Sequence, residues 1–372
     1  MTHVLMTADT VGGVWTYALE LADALAPMGV SVSLATMGRP MDRDQHVAVG
    51  ASAVVDVHES SYRLEWMKGP WREVDQAAEW LLRLEDSERP DVVHLNGYAH
   101  GALPWSAPSV VVGHSCVLSW WTAVHGGPAP AEWDRYRQRV AQGLRGATRV
   151  VAPSQAMLSE LRRWYGFDGG VVIPNGRRSD WSSPQSKEPM VLGTGRLWDE
   201  AKNLDALRRV APSLPWPVVI AGDAEPPEGT PVPAMETAGG PARLLGRLTF
   251  PDLAPWLDRA EIFALPAWYE PFGLGALEAG IAGCALVLGD IPSLREVWGS
   301  AACYVGPGYD SSLLAALRDL MAEPALVRRL GHAARERALE LSAERFAASY
   351  RDLYRELLVT AGAGATAFGG HR

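Results

Sequence analysis

The sequence predicts an α/β fold built from two doubly wound domains that face one another across a cleft. Three observations predict it. Short apolar runs alternate with stretches of helical spacing, which is the rhythm of parallel βαβ units. The rhythm stops over the polar stretch Ser179–Lys187 and starts again at Met190. The length, 372 residues, suits two domains of ordinary size.

Taken in order, Val4–Thr7 reads as a first strand and Asp9–Gly13 as a loop. Trp15, Leu19, Ala22 and Ala26 then fall on one helical face, and Val30–Leu34 is the next strand. The pair Gly12–Gly13 stands at the strand-to-helix turn. It can approach a phosphate or a sugar, or serve only as a permissive turn. It is not G-x-G-x-x-G, so the dinucleotide fingerprint is absent. Asp42-Arg43-Asp44 matches the D-x-D pattern of metal-dependent sugar chemistry, but it reads as a solvated polar loop. Residues 66–88 read as a helix of mixed charge. Val92–Leu95 is a strand ending at Asn96-Gly97, and Val110–Ser115 another buried strand with His114 at its carboxyl end. Ligands of open α/β sheets gather beyond the carboxyl ends of strands, so His114 is a better functional candidate than His3, His46 or His58. Trp120, Trp121 and His125 lie in an aromatic loop or short helix that could form an acceptor platform or simply pack. Arg135, Arg139 and Arg145 share a helix near 133–144 and read as a solvated face. Val150–Ser154 reads as a strand, with Ser154 a candidate N-cap for the helix after it. Val171–Gly176 ends the first half.

The second half opens with the strand Met190–Leu192 and the tight loop Gly193–Leu197. Lys202-Asn203 is expected to open a helix through Val210. Strands follow near 217–221 and 243–246. The apolar run Ala260–Leu265 then ends at Pro266, like a buried strand. After it come Glu270-Pro271-Phe272-Gly273-Leu274-Gly275 and the helix formers Ala276–Ile281. Glu270 therefore sits in a loop and Glu278 on the first turns of a helix. A helix start presents unpaired N–H groups and a positive dipole end, and glycines let an anion come close. Glu270 at its mouth can accept from sugar hydroxyls, and Glu278 from a second polyol such as ribose. Taken alone, the pair also fits a loop with two solvated glutamates. Further strands read at 285–288 and 303–305, and 311–340 is mainly helical. From Ala343 to Leu358 one helix carries Phe346, Tyr350, Leu353, Tyr354 and Leu357 at helical spacing. The glycine-containing tail 360–372 is expected to be disordered. The expected domains are 1–175 and 176–342.

Composition removes several function classes. A net charge of -9 argues against nucleic acid as the main partner, and neither half is basic. Membrane contact is expected to be peripheral at most. Cys116, Cys284 and Cys303 are scattered, without C-x-x-C, and suggest neither disulfides nor zinc. No signal peptide and no run of ~18 apolar residues is visible, so the expected home is the cytoplasm. No carboxylate cluster for a metal stands out, and no cofactor is expected.

Arg196 and Lys202 stand just before and inside a predicted helix start, in the same domain as the two glutamates. Two such cations can stabilise the charge that grows on a leaving diphosphate. With these residues in view, the chain resembles the retaining GT4 glycosyltransferases of the GT-B fold. Four stretches carry the likeness: Gly12-Gly13; Gly195-Arg196-Leu197 with Lys202-Asn203; Ile173–Gly176; and Glu270–Leu274 through Glu278, an E-x7-E spacing. They span nearly the whole chain. One departure is that Arg177 and Arg178 follow Asn175-Gly176, where the family usually has an apolar residue and often an acid.

The resemblance implies two Rossmann-like domains, the first for the acceptor and the second for a nucleotide-sugar donor. It implies that the helix 343–358 packs back on the first domain. Arg196 and Lys202 would bind the diphosphate, and Glu270 the hydroxyls of the transferred hexose. Phe272, Gly273, Leu274 and Gly275 would line hexose and phosphate, with Gly195 beside them, and Glu278 would hold the ribose. Gly12 and Gly13 would face the phosphate or reaction centre, and His114 would position the donor sugar. Asn96, Trp120, Trp121 and His125 fall where an acceptor is expected. The implied reaction is metal-independent, retaining transfer of a hexose from a nucleotide diphosphate sugar, with UDP-glucose the commonest choice. The acceptor is a hydroxyl of a sugar, lipid-linked or small molecule, in glycan, polysaccharide or glycoconjugate synthesis. A GT-B epimerase or phosphorylase and a non-catalytic nucleotide-sugar binder are the rivals. An epimerase needs acid/base carboxylates, a phosphorylase a pyridoxal lysine, and a binder should lack Arg196, Lys202 or Glu270.

Overall fold

The computed structural model describes residues 1–182, 187–228 and 242–368, with side chains to Gly362. The chain divides into two compact units, one comprising 1–118, 129–176 and 343–372, the other 119–128 and 177–342.

The first unit is a seven-stranded parallel sheet. Its strands are β1 Thr2–Asp9, β2 Val30–Met37, β3 Asp56–Glu59, β4 Val92–Leu95, β5 Ser109–Val112, β6 Arg149–Ala152 and β7 Val171–Val172, in the order β3-β2-β1-β4-β5-β6-β7. The order reverses between β1 and β4, which is where open α/β sheets place their ligands. The period of two along β1 decides the layers. Val4, Met6 and Ala8 face α1 (Gly13–Leu25) and the last helix, here labelled α13 (Ala343–Phe368); Leu5 faces α3 (Trp71–Glu88). From α13 the buried residues on this core are Phe346, Tyr350, Leu353, Tyr354 and Leu357. Helices α2 (Arg43–Gly50), α5 (Asp134–Gly146) and α6 (Gln155–Tyr165) complete the unit.

The second unit is a six-stranded parallel sheet of β8 Glu188–Thr194, β9 Val218–Ala221, β10 Ala242–Gly246, β11 Ala260–Leu265, β12 Ala285–Gly289 and β13 Ala302–Val305, ordered β10-β9-β8-β11-β12-β13. Its reversal falls between β8 and β11. β11 and β12 are covered on both faces, with Ile262, Phe263, Ala264 and Ala285–Leu288 all at 0% exposure. That is why β12 reads as an unbroken apolar run and β11 as one interrupted only at the half-buried Glu261, rather than alternating. Helices α7 (Leu204–Val210), α8 (Phe250–Arg259), α9 (Leu274–Ile281), α10 (Pro292–Trp298), α11 (Asp310–Ala322) and α12 (Pro324–Glu340) flank it, and α4 (Val117–His125) lies mostly in this unit.

Several expectations change. Asp42 is not in a free loop: it caps α2, accepting from the Gln45 N–H while the Gln45 side chain returns to the Asp42 N–H. That reciprocal pair is a capping box, and it gives the acidic triplet a structural job. The helix expected from Trp66 begins at Trp71, after the Gly69-Pro70 turn. Lys202-Asn203 does not open an α-helix directly. A single 3-10 turn, Glu200–Lys202, ends at Asn203 in the left-handed region (φ 52°), and α7 follows. Asn203 holds that conformation by donating its amide to the carbonyls of Pro266 (2.9 Å) and Pro307 (2.8 Å). Residues 119–128 group with the second unit, not the first. Helix α13 runs to Phe368, so 360–368 is helical where a disordered tail was expected; 369–372 lie outside the described residues. In the expected linker, Trp181 packs edge-on against Phe250 (5.0 Å) and Ser182 donates to Asp258 (2.8 Å); residues 183–186 lie outside the described residues.

Candidate functional site

Each unit carries one cluster of the candidate residues at the carboxyl ends of its central strands. In the second unit, β8 delivers Gly195 and Arg196, and β11 delivers the loop that holds Glu270. The β8 loop fits because Gly222 has no side chain: a Cβ there would lie 1.7 Å from the Gly195 carbonyl oxygen. Lys202 Nζ donates to Glu270 Oε2 at 2.6 Å, with both side chains largely covered (15% and 14% exposed). Ser293 Oγ donates to the Glu270 carbonyl (2.5 Å) and fixes the backbone behind it.

Arg196 Nη2 donates to Asp199 Oδ2 at 2.6 Å, and its guanidinium lies over the Trp198 ring. Asp199 is buried and also accepts from Trp120 Nε1 (2.9 Å) and the Ala201 N–H (3.1 Å). Burial alone would raise its pKa. Arg196 and Lys202, with the Trp120 and Arg196 hydrogen bonds, outweigh that and hold the carboxyl below its usual range. Asp199 was not legible as a site residue, and it alters the electrostatics. Arg196 and Lys202, legible in the sequence as two cations, are here paired charges, each with its own carboxylate.

Helix α9 is preceded by its N-cap, Gly273, which stands in the left-handed region (φ 92°) that favours glycine. No side chain caps this start and its first turn holds no acid, so the N–H end is left to other acceptors. Phe272 is buried beneath it, while Leu274 and Gly275 are half-buried at its first turn. Glu278 is buried one turn on and pairs with Arg177 Nε at 3.0 Å; Arg177 in turn lies over the Phe250 ring. The arginine that departs from the usual junction pattern therefore answers Glu278.

Trp120, Trp121 and His125 form one aromatic group on α4, with Trp121 and His125 ring centroids 4.3 Å apart. The structure spends the Trp120 N–H on Asp199, which ties α4 to the Arg196 loop.

In the first unit, Gly12 precedes α1 and Gly13 opens it, exposed. Asn96, just past β4, sits beside β1: its Nδ2 donates to the Thr7 carbonyl at 2.7 Å. With Nδ2 so used, Oδ1 must face the two imidazoles near it, His114 Nε2 at 2.8 Å and His94 Nε2 at 3.2 Å. Both imidazoles therefore carry their proton on Nε2. The amide of Asn96 is thus committed to holding histidines rather than turned to an acceptor. His94 is fully buried, and its Nδ1 accepts from Tyr354 Oη of α13 at 2.6 Å. The Tyr17 ring stands edge-on to His114 (4.4 Å). Desolvation brings the pKa of His114 down to about 3, so the ring is neutral at physiological pH. His94, Tyr17 and Tyr354 had no local signal in the sequence. A cavity of about 410 Å³ between residues 144–150 and 166–170 of this unit contains none of these residues.

Comparison with known proteins agrees with this layout. The family model "Glycosyltransferase Family 4" matches residues 11–180 and "Glycosyl transferases group 1" matches 188–323. A glycogen synthase of Mycobacterium tuberculosis is 29% identical over 360 residues, covering 88% of this chain and 86% of that protein. An alpha-maltose-1-phosphate synthase of the same organism is 30% identical over 247 residues, covering 57% and 64%. Among solved structures, sucrose-phosphate synthase from Thermosynechococcus elongatus superposes with a TM-score of 0.79 at 19% identity, covering 97% of this chain and all of that one (100%). Anabaena HepE in complex with UDP-glucose gives 0.73 at 14% identity, covering 96% and 100%. Two family models that together span most of the chain, and two parallel α/β sheets of the GT-B kind, make this protein a GT4 glycosyltransferase of the GT-B fold.

Proposed function

We propose that the protein is a metal-independent, retaining hexosyltransferase that uses a nucleotide diphosphate sugar, of the UDP-glucose class, in the cytoplasm for glycan or glycoconjugate synthesis. The observation that carries the reading is the gathering of Arg196, Lys202 and Glu270 at the β8 and β11 strand ends, in the same unit as the uncapped start of α9. The kinship with a glycogen synthase and the UDP-glucose held by HepE favour the donor class.

In this reading the diphosphate displaces the internal carboxylate partners. Lys202 and Arg196 turn from Glu270 and Asp199 toward phosphate oxygens, and the α9 N–H groups add to them. Glu270, released from Lys202, accepts from hexose hydroxyls, and Glu278 from the ribose. His114, neutral with its proton on Nε2, has Nδ1 to accept a hydrogen bond from a sugar hydroxyl. The acceptor hydroxyl oxygen then bonds to the anomeric carbon on the face the leaving group vacates. The bond from that carbon to the phosphate oxygen breaks, and the hydroxyl proton passes to the departing phosphate. Charge grows on the diphosphate as this happens, and the cations stabilise it where it grows.

The test is transfer measured in EDTA with the anomeric configuration of the product read by NMR. Undiminished turnover in EDTA with the donor configuration kept is expected. Strict dependence on an added divalent ion, or an inverted product, contradicts the reading.

A further inference from the structure

At the edge of the first unit's sheet, away from His114, lies a second cluster of chemically active side chains. Asp56 and His58 are on the edge strand β3, His3 on β1, Ser33 on β2, and Glu88 at the last turn of α3. The register explains why they meet. Ser33 pairs with Leu5 and Asp56, and Ala35 with His58, so these side chains share the sheet face that α3 covers. Leu5 and Ala35 fill that face under Ala77, Leu81 and Leu84, and the polar residues continue it out to the edge.

The donor atoms converge. His58 Nε2 lies 3.2 Å from Glu88 Oε1 and 4.0 Å from Asp56 Oδ2, and one atom from each of the three residues lies within 4.8 Å of the others. Four-coordinate zinc with bonds of about 2.0–2.2 Å sets its ligand atoms roughly 3.3–3.6 Å apart, which these spacings bracket. His58 Nε2 is shut off from solvent, yet it meets neither oxygen in hydrogen-bonding geometry. The remaining oxygens are held. Asp56 Oδ1 accepts from the Val57 N–H (2.8 Å). Glu88 Oε2 accepts from Ser33 Oγ (3.2 Å), which lies 2.9 Å from His3 Nε2. An occluded imidazole nitrogen between two carboxylate oxygens, with the outer atoms already engaged, is a donor set for a borderline-soft dication.

We propose that Asp56, His58 and Glu88 bind a divalent transition-metal ion of the zinc class, clipping the edge strand β3 to the end of α3. The site is separate from the transfer chemistry: His114 follows β5, and β2, β1 and β4 stand between that strand and β3. The ion answers two neighbouring carboxylates that otherwise repel. It also secures a short edge strand whose end residues are exposed.

The whole protein, stripped with a chelator and dialysed, is titrated with zinc chloride and, separately, cobalt chloride, and followed by thermal melting and the visible d–d bands of bound cobalt. Zinc at about 100-fold its Kd is expected to raise Tm by roughly 3–8 °C. Cobalt is expected to give visible bands. Both effects are expected to vanish in His58→Ala and Glu88→Gln and to persist in His332→Ala, an exposed histidine on α12. Should His58→Ala fail to fold by circular dichroism, Asp56→Asn, at an exposed position, reads the same loss. No Tm change with zinc, or an effect that survives in the His58, Glu88 and Asp56 variants, overturns the proposal and leaves the cluster as imidazole–carboxylate pairs.

Discussion

His94 shows how one buried group sets another. It has no solvent exposure, and desolvation first, then the neighbouring His114, brings its pKa down to about 3 against the hydrogen bond it donates to Asn96 Oδ1. The folded chain therefore keeps His94 neutral, while the unfolded chain takes up its proton near the ordinary value of about 6.5. Between those values the unfolded state binds more protons, so stability is full above about 6.5 and falls as pH drops toward 3. By pH 5 the loss from this group is about 2 kcal/mol. Urea midpoints of wild type and His94→Gln at pH 7 and pH 5 check it. The variant is expected to start less stable, having lost the Tyr354 hydrogen bond, and to lose less between the two pH values. Equal losses in both proteins contradict the assignment. Sequence alone favoured His114 over His3, His46 and His58 by its place at the carboxyl end of a strand, yet it could not show His94, whose partner Tyr354 lies 260 residues away.

Helix α9 is an element whose start decides its use. Gly273 takes a left-handed conformation at the N-cap, and the first turn is left without side-chain caps. Gly273→Ala puts a Cβ where L-residues are strained and 3.3 Å from the Leu294 side chain. A cost of about 1–2 kcal/mol in chemical denaturation is expected, together with weaker nucleoside diphosphate binding. A variant as stable as wild type would show that the turn relaxes without cost. The segments around α9 were largely readable. β11 is bounded as its apolar run is, from Ala260 to the residue before Pro266, because a strand buried on both faces needs no alternation. β3 went unread for the opposite reason: its four residues Asp-Val-His-Glu show polar ends and only partial burial. The turn after Lys202 went unread because the left-handed Asn203 is held by carbonyls from Pro266 and Pro307, contacts that sequence spacing does not encode.

At the scale of the whole molecule, the α/β rhythm and its restart at Met190 carried the fold class, and the family match carries the chemistry. Topology decided what the sequence left open. Residues 119–128 group with the second unit, where Trp120 binds Asp199, so an aromatic segment expected on the acceptor side belongs with the Arg196 loop. Arg196 and Lys202 announce themselves as cations, but each is paired with a carboxylate, Asp199 and Glu270; on the proposed reading a diphosphate takes them by exchange. The Lys202–Glu270 pair, covered on both sides, is costly to leave half-made, which makes exchange with another anion the natural way to open it.

The central claim is that this exchange places the diphosphate on Arg196 and Lys202. Calorimetric titration of UDP, GDP and ADP into wild type, Arg196→Ala and Lys202→Ala tests it directly. One nucleotide is expected to bind wild type, and each substitution to weaken it at least tenfold, about 1.4 kcal/mol, with turnover falling about 10²–10³-fold. Unchanged affinity and turnover in both variants would contradict it.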